Sequence, residues 1–198
     1  MPGRNGRGPP RRRIRGWRLT AAASRFAIRP VPQLSLHSPI GDLTVSEEDG
    51  RIIALDWGWG RDQTMTPLLS RARDLLDAYF DAVPVAFELP LDPSGTPYQR
   101  RIWAALRTIP PGQTRSYGAI ARAAGGSPRS VGLANAANPI PILIPCHRVV
   151  AAAGLGGYSG GDGPVTKRAL LALEARALAR TAPAHPVLPL THNLTEHP

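Results

Sequence analysis

Cys146 is the only cysteine in a chain of 198 residues, and it stands in "NPIPILIPCHRVV", Asn138 to Val150, with His147 and Arg148 directly after it. A thiolate is a strong nucleophile, and an adjacent histidine can take its proton. Basic neighbours favour the thiolate, whereas the prolines and isoleucines before it predict burial, which opposes ionisation. On an extended strand successive side chains point to opposite faces, so His147 meets Cys146 only if the backbone turns there. A third candidate lies in "VTKRALLALEARAL", where helical spacing puts Glu174 on one face with Leu170, Leu171, Ala177 and Leu178. A carboxylate on an apolar face needs a partner, because burying an unpaired charge is costly. Two partners are open: an arginine, in a purely structural pair, or the far nitrogen of His147, in a Cys-His-Glu arrangement that orients the imidazole toward the thiol. The apolar surroundings favour a one-time nucleophile over an exposed redox thiol.

The elements that must position these groups fall into two parts. "LSLHSPIGDLTVSEEDGRIIALDW" reads as short strands separated by a Pro-Ile-Gly-Asp turn and a Glu-Glu-Asp-Gly turn. Leu68, Ala72, Leu75, Leu76, Tyr79 and Phe80 then recur at helical spacing. "FELPLDPSG" marks a boundary near residue 93. In "TPYQ", Thr96 can cap a helix, Pro97 suits its first position and Gln99 completes a capping box. Tyr117, Ile120, Ala121 and Ala124 give a short amphipathic helix, "GGS" turns the chain, and Pro128 starts another helix that runs to Ala137 and ends before Pro139. Helix, glycine turn and helix make a helix-turn-helix candidate, a pattern that two helices packed in an ordinary core share. The second helix, "PRSVGLANAA", has few long polar side chains for reading base edges, only Arg129 and Asn135. Its small residues suit a narrow groove or close helix packing. The expected fold class is α+β: a small N-terminal sheet-plus-helix domain over 31–92, then a mainly helical domain over 93–180 containing the helix-turn-helix. The glycine-, proline- and arginine-rich residues 1–30 read as a disordered extension and 181–198 as a flexible tail.

Charge divides along the same boundaries. The overall +10 comprises +7 in residues 1–20, −5 in 21–92 and +8 in 93–178. A polyanion is drawn to the first and last of these and repelled by the middle one, although charge alone serves solubility equally well. One cysteine excludes an internal disulfide, and His37, His147, His185, His192 and His197 have no metal-ligand spacing, so neither metal nor cofactor is expected. No apolar run suits a bilayer span or a signal peptide, and a cytoplasmic protein is expected, associated with the nucleoid if bacterial.

"PCHRVV", together with "SPIGDLTV", "ELPLDPSGTPYQRRIWAALRTIPPGQTRSYG", "VGLANAANPIPILIPCHRVV" and "GGYSGG", resembles the O6-alkylguanine-DNA alkyltransferases, or methylated-DNA–protein-cysteine methyltransferases. The likeness runs from about residue 35 to 178. In the family, the segment resembling "GTPYQ" reads "GTPFQ". The resemblance implies DNA repair in which a damaged guanine leaves the duplex and its O6-alkyl group moves irreversibly to Cys146, so that a buried nucleophile can reach an atom inside the double helix. Carried over by motif position, His147 activates Cys146 through a water, Glu174 orients His147, and Asn138 braces the turn before the active-site strand. Tyr117 contacts phosphate and donates a proton toward guanine. Arg129 fills the gap left by the base, with Ser130, Gly132 and Asn135 on the DNA-binding helix. Pro141, Val149, Tyr158 and Ser159 line the substrate pocket. The implied partner is double-stranded DNA containing O6-alkylguanine, met by a monomer without cofactor or membrane. Two departures stand out: the turn before Arg129 is about two residues shorter than the family's, and the arginine-rich start is not a family feature.

Three other readings remain. A repair-signalling relative binds alkylated DNA without transferring the group, but such relatives lack the cysteine. A helix-turn-helix regulator or adaptor could use Cys146 to sense alkylation, yet the sequence offers no separate sensor domain. A cysteine hydrolase would require an oxyanion hole that the sequence does not display.

Overall fold

The computed structural model describes residues 30–181. The expected N-terminal extension and C-terminal tail, apart from Pro30 and Thr181, lie outside the described residues.

The chain begins with an antiparallel meander of β1 (Gln33–Leu36), β2 (Leu43–Glu48) and β3 (Arg51–Trp57), in the order β1-β2-β3. One face of this sheet buries Leu34, Leu36, Leu43, Val45, Ile52 and Leu55. Against it packs α1 (Pro67–Phe80), which Thr66 caps by accepting from the backbone N–H of Leu69. The helix turns Leu69, Ala72, Leu76 and Tyr79 inward, the 3.6-residue period expected for an amphipathic helix.

The second half opens with α2 (Pro97–Arg107), whose capping box forms as the sequence predicts: the Thr96 hydroxyl accepts from Gln99 N, and the Gln99 side chain accepts from Thr96 N. Then come β4 (Arg115–Ser116), α3 (Tyr117–Ala124) and α4 (Pro128–Ala136), the last two joined by the turn Gly125–Ser127. A 3-10 turn, Cys146–Arg148, leads into β5 (Val149–Val150), which pairs in parallel with β4. The chain here is therefore a turn and then two residues of strand, not the continuous active-site strand expected. The helix α5 (Pro164–Thr181) closes the described residues.

The sheet, α1, α2 and the loop before Cys146 share one core. Trp103 of α2 is almost fully buried, and its indole N–H donates to the Ala134 carbonyl of α4 over 2.8 Å. The two halves also meet through the backbone, where Leu55 N of β3 donates to Pro139 O at 3.0 Å. The N-terminal sheet thus fixes the entry to the cysteine loop. Trp103→Phe should destabilise the protein by about 2–4 kcal/mol through the lost buried hydrogen bond and the space left behind. Urea unfolding of the two proteins measures this difference.

Candidate active site

The loop from Asn138 to Pro145 is held from inside by one side chain. Asn138 Nδ2 donates to Ile144 O at 2.9 Å, and its Oδ1 accepts from Ile140 N at 3.1 Å. Ile142, fully buried, sits at φ +72°, a region β-branched residues seldom occupy and which persists only where packing imposes it. The 3-10 turn that follows is what lets neighbouring side chains serve one site. Cys146 is 3 % exposed, and Asn135 Nδ2 donates to its carbonyl at 3.1 Å.

Glu174 of α5 is the hub. Its Oε1 accepts from Tyr79 Oη at 3.0 Å and lies 2.8 Å from His147 Nε2, while its Oε2 accepts from Gly112 N at 2.8 Å. Arg148 grips both oxygens, with Nε at 3.0 and 3.1 Å and Nη2 at 2.8 Å, and spends Nη1 on Ile109 O. Both partners left open by the sequence are therefore engaged by the same carboxylate. Burial alone would raise its pKa, but the hydrogen bonds and charge of His147 and Arg148 outweigh that and hold it at about 2. An ionised Glu174 makes His147 Nε2 the N–H donor, so Nδ1 is the basic nitrogen of the neutral ring. Nδ1 is buried and has no hydrogen-bond partner among the described residues. Burial lowers the imidazole pKa, opposed by Glu174, so the ring is kept in the form that accepts a proton.

Burial raises the Cys146 pKa. Asn138, Tyr158 and the positive charge of Lys167 work against that rise, although neither Asn138 nor Tyr158 reaches full hydrogen-bond geometry with the sulfur. Lys167 was not anticipated. It is fully buried, and its ammonium donates to Val149 O at 2.6 Å and Gly157 O at 3.0 Å, 5.8 Å from the centre of the Tyr117 ring. Burial lowers its pKa, and Cys146 opposes that shift. The sequence did carry a signal, since this is the one lysine in a chain with 23 arginines. A compact ammonium can sit between two carbonyls where a planar guanidinium cannot. Arg148 and Tyr79 were also missed, the first concealed inside the motif and the second read as core.

A cleft of about 190 Å³ reaches Cys146, bounded by Trp57, Asn138, Pro141, Tyr158 and Ser159. A neighbouring cleft of about 220 Å³ is lined by Tyr117, Gly132 and Asn135 and shares Tyr158 and Ser159 with the first. Tyr117 opens α3, half-buried, with a pKa raised by burial so that its phenol stays protonated. A larger cleft of about 250 Å³, beside Phe87, Pro110 and Arg148, does not include Cys146. Among the described residues no group of three His, Cys, Asp or Glu is gathered as for a metal ion, and no helix is long and apolar enough to cross a membrane.

Three residues differ from expectation. Asn135 faces inward with Val131 and Ala134, because helical periodicity gives the outer face of α4 to Arg129, Gly132, Leu133 and Ala136. Ser130 is occupied at the start of α4, where it completes the capping box with Ser127 and bonds Tyr98. Val149 is fully buried and lies outside the cleft lining, since its pairing with β4 directs it to the core.

The 6-O-methylguanine DNA methyltransferase family matches the chain twice, by its ribonuclease-like domain over residues 34–93 and by its DNA binding domain over 97–176. The methylated-DNA–protein-cysteine methyltransferase of Mycobacterium tuberculosis H37Rv is 45 % identical over 153 residues, 71 % of this chain and 90 % of that protein. The chain belongs to this family. The constitutive family member of Bacillus subtilis is 43 % identical over 138 residues, covering 62 % of this chain and 83 % of that one. Among solved structures, that of M. tuberculosis OGT in complex with DNA aligns with a TM-score of 0.67 at 44 % identity, covering 74 % of this chain and 94 % of that one.

Glu174 also sets an acid limit for this family member. Its carboxyl lies at about 2 when folded against an ordinary 4.5, so the stability it contributes is complete above about pH 4.5 and is lost as pH falls toward 2. Glu174→Gln should cost about 3–5 kcal/mol at neutral pH, the range for breaking a buried ion pair. The gap to the parent should narrow between pH 4.5 and 2. Urea titrations across that window, run on both proteins, test it.

Proposed function

We propose that this chain repairs DNA by moving the O6-alkyl group of an extruded guanine to Cys146, once per molecule. The observation that carries this reading is a buried cysteine reached by a cleft, followed directly by His147, whose Nε2 is held by the ionised Glu174. The thiol proton passes through a water to His147 Nδ1. The thiolate sulfur attacks the alkyl carbon, the carbon–O6 bond breaks, and its electron pair stays on the guanine. Tyr117 then supplies the proton that leaves the base neutral, and the proton held by His147 returns through water to the Tyr117 phenolate, so that overall a thiol and an O6-alkylguanine become a thioether and guanine. Lys167 supports the thiolate through its charge and shapes the pocket by tying Val149 to Gly157. A thioether is not displaced by water, and the chain has no second thiol to resolve it.

The outer face of α4 supports the DNA side of this reading. Arg129, Leu133 and Ala136 form one exposed stripe with the half-buried Gly132 beside them, and Leu133 is 68 % exposed despite being apolar. Small and apolar side chains suit the minor groove, where wedges unstack base steps. Arg129, in the first turn of α4, fills the gap that the guanine leaves. Residues 31–92 brace the site and residues 93–180 bind DNA and carry out transfer. The protein works as a cytoplasmic monomer on double-stranded DNA and needs no cofactor.

Two experiments test this. Incubation with a duplex carrying one O6-methylguanine should add a single methyl group to the tryptic peptide holding Cys146, with total repair equal to the protein supplied. Repair continuing well past one equivalent would sink the proposal. Arg129→Ala should lower the rate on duplex DNA relative to the rate on free O6-benzylguanine by about tenfold or more, because extrusion costs a few kcal/mol only when there is a stack to leave. An unchanged ratio of the two rates removes Arg129 from the gap.

A further inference from the structure

Only Gly125–Ser127 joins α3 to α4, and the structure supplies a brace at that point. Tyr98, in the first turn of α2, places its hydroxyl 2.7 Å from Ser130 Oγ and 3.4 Å from Gly125 O. Ser130 is the third residue of α4, follows Arg129 directly, and closes the capping box with Ser127. Gly126 stands at φ +101°, and a Cβ there would collide with the Tyr98 hydroxyl and approach Ser130 Oγ. Only glycine allows this closeness. One turn further along α2, Arg101 Nε donates to Ala124 O at 2.7 Å, and its guanidinium lies 5.2 Å from the centre of the Tyr98 ring. Two consecutive turns of α2 thus hold both ends of the Gly125–Ser127 turn.

We propose that the Tyr98 hydroxyl is a positioning group for DNA repair, acting through Ser130 to set where α4 begins and hence where Arg129 meets the duplex. A phenylalanine here could pack its ring but could not reach Ser130. The turn has Gly125, Gly126 and Ser127 alone, two of them glycines with wide backbone freedom, so an external hydrogen bond fixes where α4 begins. Tyr98 lines neither cleft near Cys146. It acts at the first turn of α4, beside Arg129, whereas Asn135 and Ala136, which line those clefts, lie at the far end of the helix, so its effect falls mainly on substrates that meet Arg129. The inference rests on the reading that α4 enters the duplex.

The test is the ratio of the second-order rate on duplex O6-methylguanine to the rate on free O6-benzylguanine, for the parent, Tyr98→Phe, Ser130→Ala and the double variant. Tyr98→Phe should lower the ratio by about fivefold, the factor that one net hydrogen bond is worth. In the Ser130→Ala background the same change should lower it no further. An unchanged ratio, or rates on both substrates falling together with the melting temperature, overturns the proposal. Arg129→Ala measured alongside separates the two readings. If it lowers the ratio and Tyr98→Phe does not, the extrusion reading stands and the Tyr98 role fails. If it leaves the ratio unchanged, the Arg129 role fails, and the Tyr98 proposal, which acts through where Arg129 meets the duplex, fails with it.

Discussion

A buried carboxylate must be satisfied on every side, and Glu174 is satisfied by groups drawn from most of the molecule. Tyr79 comes from α1, Gly112 from the loop after α2, and His147 and Arg148 from the 3-10 turn. Removing water from an ionised carboxylate is expensive, and only a full set of donors offsets it. The position of His147 relative to the thiol is thus a by-product of solving the Glu174 problem. Arg148 neutralises the charge, which frees His147 to remain a neutral base instead of becoming the counter-ion. Without the arginine, the imidazole beside a buried carboxylate would be pulled toward the protonated state and would lose its capacity to accept a proton.

The thiol is governed by the opposite compromise. Cys146 is buried enough to stay protonated in the resting protein, and burial also raises the Tyr158 phenol nearby. Against this, Lys167 contributes a fixed positive charge without adding an exposed one. Its two carbonyl partners are Val149, ahead of the glycine-rich segment, and Gly157, within it and directly before Tyr158 and Ser159, so one side chain both tunes the sulfur and pins a wall of its cleft. A resting thiol that ionises only when a substrate completes the site fits a nucleophile that can be used once.

Much of this was legible from residues alone. The capping box at Thr96 and Gln99, the inward face of α1, the glycine turn and the stop before Pro139 all follow from local rules that tertiary structure did not override. That Glu174 belongs to the buried side of α5 was legible because a charge interrupts an apolar stripe, but the face itself differs from the one expected: Leu173 joins Leu170 and Ala177 there, and Leu178 is exposed. What was not legible depended on distant pairing. Whether Cys146 to Val150 is strand or turn is decided by Asn138 and Asn135, which hold carbonyls of that loop through contacts no periodicity reveals. Asn135 was read as a DNA contact because it is polar on a helix of small residues. Its true face follows from Val131 and Ala134, which share the buried side. Tyr79 looked like any core aromatic, since a hydroxyl partner 95 positions away leaves no trace in sequence.

The brace between the halves has an evolutionary reading. Leu55 N reaches Pro139 O, and Tyr79 reaches Glu174, so the N-terminal sheet and helix contribute hydrogen bonds at the two places where the cysteine loop is fixed. A chain built this way cannot be recombined freely at residue 95. Segments on either side must be inherited as a matched pair, because a foreign N-terminal half would arrive with its strand register and its tyrosine set for another loop.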